Sequence, residues 1–138
     1  MQNNQLVIYT PDTPDTNNTK IGKNYKLGNL SITGNVMPIS WYHTITLANT
    51  KPDQVGSAIL SELLNQHDIT GKSRFAMTYK YFKKKFNFTK IQVRAAIIRL
   101  EEKILIKREF KTIQGQRRKI PNQMFLCLNL EQLQKFCK

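Results

Sequence analysis

The sequence predicts a small α+β domain that is mainly helical. Three amphipathic helical stretches lie between residues 52 and 103, and two apolar runs separated by a turn-forming stretch follow them. The chain has 138 residues, of which 40% are hydrophobic, which suits one domain with polar material at one end. We therefore divide it into a flexible polar N-terminal arm, residues 1–37, and a folded domain, residues 38–138.

The N-terminal arm is rich in Asn, Thr, Gly and Pro and shows no sustained helical or strand periodicity. Within it, residues 6–10 and residues 29–36 are the two stretches that favour a short strand. Apolar residues become frequent from Pro38 onwards, so we expect the fold to begin there. Trp41 is interpreted as an anchor, either in the core or in a dimer interface.

The first long helix is predicted to begin at Lys51-Pro52-Asp53. Proline is tolerated in a first helical turn, and an aspartate accepts hydrogen bonds from the unpaired amides there. An apolar stripe at helical spacing follows and ends near Gln66; it consists of Val55, Ile59, Leu60, Leu63 and Leu64. We expect a loop at residues 68–73 and a short extended stretch at residues 74–77.

The second helix is predicted over residues 79–86, with Thr78 as its N-cap. Phe82 and Phe86 are four residues apart and are expected to face the core, while the lysines of this helix lie mostly on the other side. A tight turn at Asn87-Phe88 ends the helix.

The third helix has the clearest start signal. Thr89-Lys90-Ile91-Gln92 has the form of a capping box, in which a threonine hydroxyl and a glutamine side chain bond each other's backbone amides. The helix therefore begins at residue 89 or 90 and ends near residues 101–103. Its predicted buried stripe consists of Val93, Ala96, Ile97 and Leu100.

Two strands and a short helix complete the predicted domain. Residues 104–110 and 123–128 are apolar runs expected to pair as a hairpin, and residues 114–119 form its turn. Asn129 is expected to cap a last helix that carries Leu130, Leu133 and Phe136.

This order of elements resembles the winged helix-turn-helix superfamily, and residues 82–106 carry the likeness. They are similar to the helix-turn-helix of bacterial winged-helix proteins and close on the pattern Arg-x-Leu-Glu-x-x-Gly-Leu-Ile, with two departures: Ile104 stands where glycine is usual, and Arg99 directly precedes Leu100. The stretch from Ile39 through the third helix also resembles, more weakly, the N-terminal winged helix of phage and plasmid replication proteins of the replication protein O type. The resemblance implies three core helices, a wing sheet of two to three strands, a short C-terminal helix and binding of double-stranded DNA.

The charge distribution agrees with a polyanionic partner. Lys and Arg number 22 against 9 Asp and Glu, a net charge of +13. Residues 72–138 alone carry 18 basic and 4 acidic side chains, a net charge of +14. The capacity to bind a polyanion therefore lies in the second half of the chain.

The predicted DNA contacts lie on the outward face of the third helix, on the second helix and on the hairpin turn. Gln92 is a candidate for pairing with adenine, Arg94 with guanine, and Ala95 for touching a thymine methyl group. The full set is Thr89, Lys90, Gln92, Arg94, Ala95 and Arg99 on the third helix, Lys83 and Lys84 on the second, and Arg117, Arg118 and Lys119 at the turn. The lysine run, which continues to Lys85, equally suits a solvated helix face. For the basic turn, a contact along phosphates or in a minor groove is favoured over simple turn chemistry.

Catalytic and cofactor chemistry is not indicated, so we expect a non-enzymatic protein without metal or cofactor. His43 and His67 are isolated, and successive helical residues such as Glu101 and Glu102 point about 100° apart, so they do not form a shared carboxylate site. The two cysteines, Cys127 and Cys137, have no second pair and are expected to be free thiols. No stretch reaches the length of a membrane span or signal peptide, so we expect a cytoplasmic protein with no membrane partner.

Two functions from different classes follow. The first is sequence-specific binding of double-stranded DNA, as a transcription regulator or as a replication or maintenance factor of a phage, plasmid or other mobile element. The second is a winged-helix interaction module whose basic face docks an acidic protein. A homodimer, and a protein partner bound through the N-terminal arm or the C-terminal helix, remain open at this point.

Overall fold

The computed structural model describes residues 6–11 and 23–137 and has an α+β fold, as the sequence predicts. In chain order the elements are β1 (Ile8–Tyr9), β2 (Lys23–Leu27), β3 (Leu30–Gly34), α1 (Trp41–Thr44), α2 (Gln54–Thr70), β4 (Arg74–Met77), α3 (Tyr79–Phe86), α4 (Lys90–Glu102), β5 (Ile106–Gln114), β6 (Lys119–Leu128) and α5 (Leu130–Phe136). None of the helices in these two ranges is both long and apolar enough to cross a membrane.

Helix α2 starts where the sequence places it but is one turn longer. The Asp53 carboxylate caps its N-terminus by accepting from the backbone N–H of Gly56 at 2.9 Å. Its end is set by Gly71, whose φ of 73° is readily adopted only by a residue without a Cβ. The loop predicted from residue 68 is therefore wrong over residues 68–70, which are helical.

Helices α3 and α4 begin and end close to their predicted residues. The Thr78 hydroxyl accepts from the N–H of Tyr81 and starts α3. Asn87, with φ 60°, ends it in a left-handed conformation that asparagine tolerates better than most residues. The predicted capping box is present at the start of α4.

The core confirms the predicted phase of α4. Its predicted stripe is fully buried and shares one apolar cluster with Phe82 of α3 and with Ile59 and Leu63 of α2. Phe86 is only partly buried, because its ring stacks on Phe88 in the turn, with ring centroids 5.6 Å apart. Tyr81 is the fully buried partner of Phe82 on α3, a position that the predicted pair missed.

The sheet has four strands in the order β1-β4-β6-β5, more than the two or three predicted. Strands β5 and β6 form the expected antiparallel hairpin, longer than predicted, and β4 pairs antiparallel with β6. The additional strand is β1, which pairs in parallel with β4. Because β1 comes from the first residues of the chain, the sheet joins both ends of the sequence.

Part of the N-terminal arm belongs to the domain. Tyr9 is buried in the core, and its hydroxyl donates to Oε1 of Gln66 at 3.1 Å. Strand β1 lies within residues 6–10, the first stretch that favours a strand, and forms an edge of the sheet, so this part of the arm packs against the domain. The second marked stretch supplies β3, which pairs with β2 in a separate two-stranded sheet. The arm's residues 12–22 lie outside the described residues.

Trp41 and Asn129 also have roles that the sequence predicts. Trp41 is buried in the core cluster, which agrees with the first of its two predicted roles. Asn129 caps α5 by accepting from the N–H of Gln132 at 3.0 Å, and α5 buries Leu133.

Candidate nucleic-acid interface

The outward face of α4 is open near its N-terminus, as predicted. Thr89, Lys90, Gln92 and Arg94 are exposed, and Ala95 is partly exposed. The opposite face of the helix packs into the core, so this outward face is held on a rigid support. The start of α4 can therefore meet a large ligand without any rearrangement of the fold.

Thr89 and Gln92, two of the predicted contact residues, also form the capping box at the start of α4. The hydroxyl of Thr89 accepts from the backbone N–H of Gln92 at 3.1 Å, and Oε1 of Gln92 accepts from the backbone N–H of Thr89 at 2.9 Å. Pairing Gln92 with both N6 and N7 of an adenine would compete with this cap. The side chains of Lys90 and Arg94 take no part in the capping box. They can therefore donate hydrogen bonds to a ligand without breaking the cap, whereas Gln92 cannot.

Arg99 is only partly exposed, and unlike the other predicted contact residues of α4 it is held by an ion pair. Its Nε and Nη2 donate to the two carboxylate oxygens of Asp53 at 2.7 and 2.9 Å. Asp53 is 1% exposed, while the Arg99 side chain keeps 29% of its surface in water. Hydrogen bonding to Asp53 raises the pKa of Arg99. The residue ties the C-terminal half of α4 to the N-terminus of α2.

Gly56 makes room for this ion pair. A methyl group at its Cα would lie 2.5 Å from Oδ2 of Asp53, which is closer than real Cβ contacts come. Any side chain at this position would push the carboxylate away from both the Gly56 amide and Arg99. A glycine in the first turn of α2 is the sequence signal that could have pointed to a buried group beside it.

The lysine run of α3 divides into exposed and buried members. Lys83 and Lys84 are exposed, as predicted. The Lys85 side chain keeps only 7% of its surface exposed, and its ammonium lies 2.5 Å from Oε2 of the fully buried Glu62 and 2.9 Å from the hydroxyl of Tyr81. The Tyr81 hydroxyl also donates to Glu62. Lys85 is thus part of the interior and is withdrawn from the phosphate contacts predicted for the run.

The basic residues fall into two groups by their partners. Those that lie against the body of the domain are matched by carboxylates, as Arg99 is by Asp53 and as Arg108 is by Glu101 at 2.8 Å. The exposed cations at the α3–α4 corner make no ion pair with any described residue; they are Lys83, Lys84, Lys90 and Arg94. This corner therefore carries four exposed cations that no described carboxylate neutralises.

The hairpin tip carries a second group of exposed cations: Arg117, Arg118 and Lys119. The N–H of Gly115 donates to the carbonyl of Arg118 at 2.8 Å and closes the turn. A Cβ at Gly115 would lie 2.7 Å from that carbonyl, so the turn requires glycine. Across residues 6–11 and 23–137, none of the three cations has an ion-pair partner. The tip is a projecting basic loop on a rigid two-stranded base.

Sequence reasoning missed one residue of this interface, Ile91. It is 82% exposed at the second position of α4, between Lys90 and Gln92. The signal was available in the sequence, because Ile91 falls outside the buried stripe once the phase of the helix is fixed. Among the described residues it is the most exposed large hydrophobic side chain.

The residues considered for catalysis either bond to other groups of the fold or are isolated from one another. Nδ1 of His67 lies 2.7 Å from the carbonyl oxygen of Lys72, and Glu101 is held by Arg108. Cys127 and Cys137 are both free thiols. In the part of the chain that the structure describes, no group of three or more His, Cys, Asp or Glu side chains is placed to hold a metal ion.

Comparison with known proteins gives no significant match to a family model, to a curated protein or to a solved structure.

Proposed function

We propose that the chain binds double-stranded DNA as a winged helix-turn-helix protein, with α4 in the major groove. The observation that supports this is the charge pattern of α4: Lys90 and Arg94 are exposed and make no ion pair with a described residue, whereas Arg99, further along the helix, is neutralised by Asp53. Cations that serve the fold are thus paired with carboxylates. Those on the open half of the helix are left for an external anion.

The dimensions and polarity of α4 suit this role. The major groove is about 12 Å wide and admits one α-helix, whose diameter with side chains is about 10–12 Å. The N-terminus of a helix also attracts phosphate, because the helix dipole is positive there. In this arrangement Arg94 reads a base edge, while Lys83, Lys84 and Lys90 contact phosphates.

The hairpin tip is assigned to the DNA backbone. Its three cations are long and flexible, so they reach phosphates readily but hold no fixed orientation towards a base edge. The tip then acts as the wing of the domain and contributes mainly electrostatic affinity.

The biological role follows from the resemblance of the α3–α4 segment and its flanks. Winged helices of this kind serve transcription regulators and also replication or maintenance factors of phages, plasmids and other mobile elements. Both roles need the same duplex contact. We therefore propose duplex binding as the activity and either role as its use in the cell.

The alternative is an interaction module that docks an acidic protein, since carboxylate clusters would also satisfy the unpaired cations. The two functions differ in how binding responds to salt. Duplex DNA releases about 0.9 counterion per neutralised phosphate, so the logarithm of its affinity falls linearly and steeply with the logarithm of salt concentration.

The test measures binding of fluorescently labelled random duplexes by anisotropy over a range of salt concentrations, for the parent chain and two variants. Lys90→Ala should lower the slope of log affinity against log salt by about 1. The matched control is Lys135→Ala, an exposed lysine on α5, which should leave the slope unchanged. A parent chain that binds no duplex at low salt, or an equal effect of both variants, contradicts the proposal.

A second variant tests base reading. Arg94→Ala should cost about 1–3 kcal/mol on a site enriched from random duplexes and much less on the random pool. Equal losses on both kinds of DNA mean that Arg94 contacts a phosphate.

A further inference from the structure

Ile91 is the most exposed large hydrophobic residue in the part of the chain that the structure describes. It is 82% exposed, on a helix whose buried stripe is otherwise continuous. Ile91 precedes the fully buried Leu100 by nine residues, which at about 100° per residue places it on the opposite side of the helix. Its side chain therefore points directly away from the core.

The residues around Ile91 suit a side chain that contacts base edges. Ala95, one turn further along the helix, lies on the same face and is small and partly exposed. Lys90 precedes Ile91 and Arg94 lies three residues after it, and both are free of ion pairs with the described residues. The apolar side chain of Ile91 thus lies between two cations, which would hold it against a polyanion.

Stability of the helix gives no reason for an isoleucine here. The capping box is made by Thr89 and Gln92, and neither bond involves the side chain of Ile91. β-branched residues are somewhat poorer helix formers than alanine or leucine. Their advantage is a side chain that is held almost in one rotamer, so its methyl groups are fixed before any ligand binds.

We infer that Ile91 is a specificity residue that contacts the C5-methyl group of a thymine in the major groove. This inference rests on the proposed duplex binding. Thymine carries the methyl group that marks an A·T pair on its major-groove edge, and an apolar side chain is what recognises it. Arg94, one turn along α4, then reaches a neighbouring base, so the preferred site combines a thymine with an adjacent guanine.

The experiment removes the methyl group and nothing else. A preferred duplex is first enriched from random DNA with the parent chain, and each thymidine in it is then replaced singly by deoxyuridine. At one position the replacement should weaken the parent chain about fourfold, the value for one buried carbon group. Ile91→Ala should bind the original duplex correspondingly less tightly and should no longer distinguish thymidine from deoxyuridine at that position.

Ile39→Ala is the matched control, because Ile39 is 79% exposed and lies outside α4. This variant should keep the deoxyuridine penalty of the parent chain. Fluorescence of the buried Trp41 reports whether each variant is folded.

Each other outcome is decisive. A chain that binds duplexes but enriches no sequence, or loses no affinity with deoxyuridine at any position, overturns the inference and leaves duplex binding intact. The same holds if Ile91→Ala retains the deoxyuridine penalty. A parent chain that binds no duplex at all refutes both the inference and the proposed function.

Discussion

Replacement of Arg99 by alanine separates a structural cation from those that we propose to bind DNA. Arg99 lies on the same helix as Arg94 and carries the same charge, yet its guanidinium bonds both oxygens of the buried Asp53. Arg99→Ala leaves this carboxylate with only the Gly56 amide as a partner among the bonds described. We therefore expect Arg99→Ala to lower the free energy of unfolding and to leave the DNA contacts unchanged.

The size of the effect follows from the burial of the two partners. Removing one member of a buried ion pair costs about 3–5 kcal/mol. Water screens part of this interaction, since the Arg99 side chain keeps 29% of its surface exposed. We expect a loss of about 2–3 kcal/mol. Asp53→Asn preserves an oxygen that can cap α2 but removes the charge, so Arg99→Ala in that background should cost less than about 1 kcal/mol.

The assay is urea unfolding followed by the fluorescence of Trp41, the only tryptophan, which is buried. The salt dependence of duplex binding is measured on the same proteins under conditions in which all are folded. Arg94→Ala is the matched variant, and it should leave the free energy of unfolding within about 0.5 kcal/mol of the parent value. If Arg99→Ala instead keeps the parent's free energy of unfolding and lowers the salt slope, Arg99 contacts DNA and the reasoning from its ion pair is wrong.

Two further predictions concern the wing and the first strand. Replacing Arg117, Arg118 and Lys119 together with alanine should lower the slope of log affinity against log salt by about 2–3. It should also weaken binding to specific and random duplexes by similar factors. An unchanged slope with a loss of discrimination between duplexes would mean that the hairpin tip reads sequence or groove shape. Burial, together with the nearby Glu62 carboxylate, raises the pKa of Tyr9 from 10.0 to about 12. The phenol of Tyr9 therefore contributes fully to stability below pH 10. As the pH rises from 10 to 12, Tyr9 ionises in the unfolded chain before it ionises in the folded one. The free energy of unfolding of the parent should therefore fall by up to about 2–3 kcal/mol relative to that of Tyr9→Phe. Parallel pH profiles of the two proteins in urea unfolding would contradict this.

The helical part of the fold could be predicted because its signals are local. Thr78, Asn129 and the Thr89–Gln92 box each act within three residues of the helix start that they define. Once these starts were fixed, the 3.6-residue period was sufficient to identify the buried stripe of α4, which is confirmed at every position. The exposure of Lys90 and Arg94 followed from the same phase.

The sheet could be predicted only in part. The β5–β6 hairpin joins neighbouring segments, so alternating apolar residues and a turn were sufficient to find it. Strand β1 has two residues and pairs with β4 across about half of the chain. A run that short carries almost no periodicity of its own, and its pairing depends on the free edge of β4.

By itself the sequence determined the order of the elements, the caps, the phase of α4 and the concentration of positive charge in the second half of the chain. Only the tertiary structure decided which cations remain available to a partner. Arg99 and Asp53 are 46 residues apart, and Lys85 and Glu62 are 23 apart. Side-chain spacing along one helix cannot show such pairs, because the partner carboxylate arrives on another helix once the core has packed. The same packing leaves Lys90, Ile91 and Arg94 exposed among the described residues, which makes them the candidate surface for reading base edges.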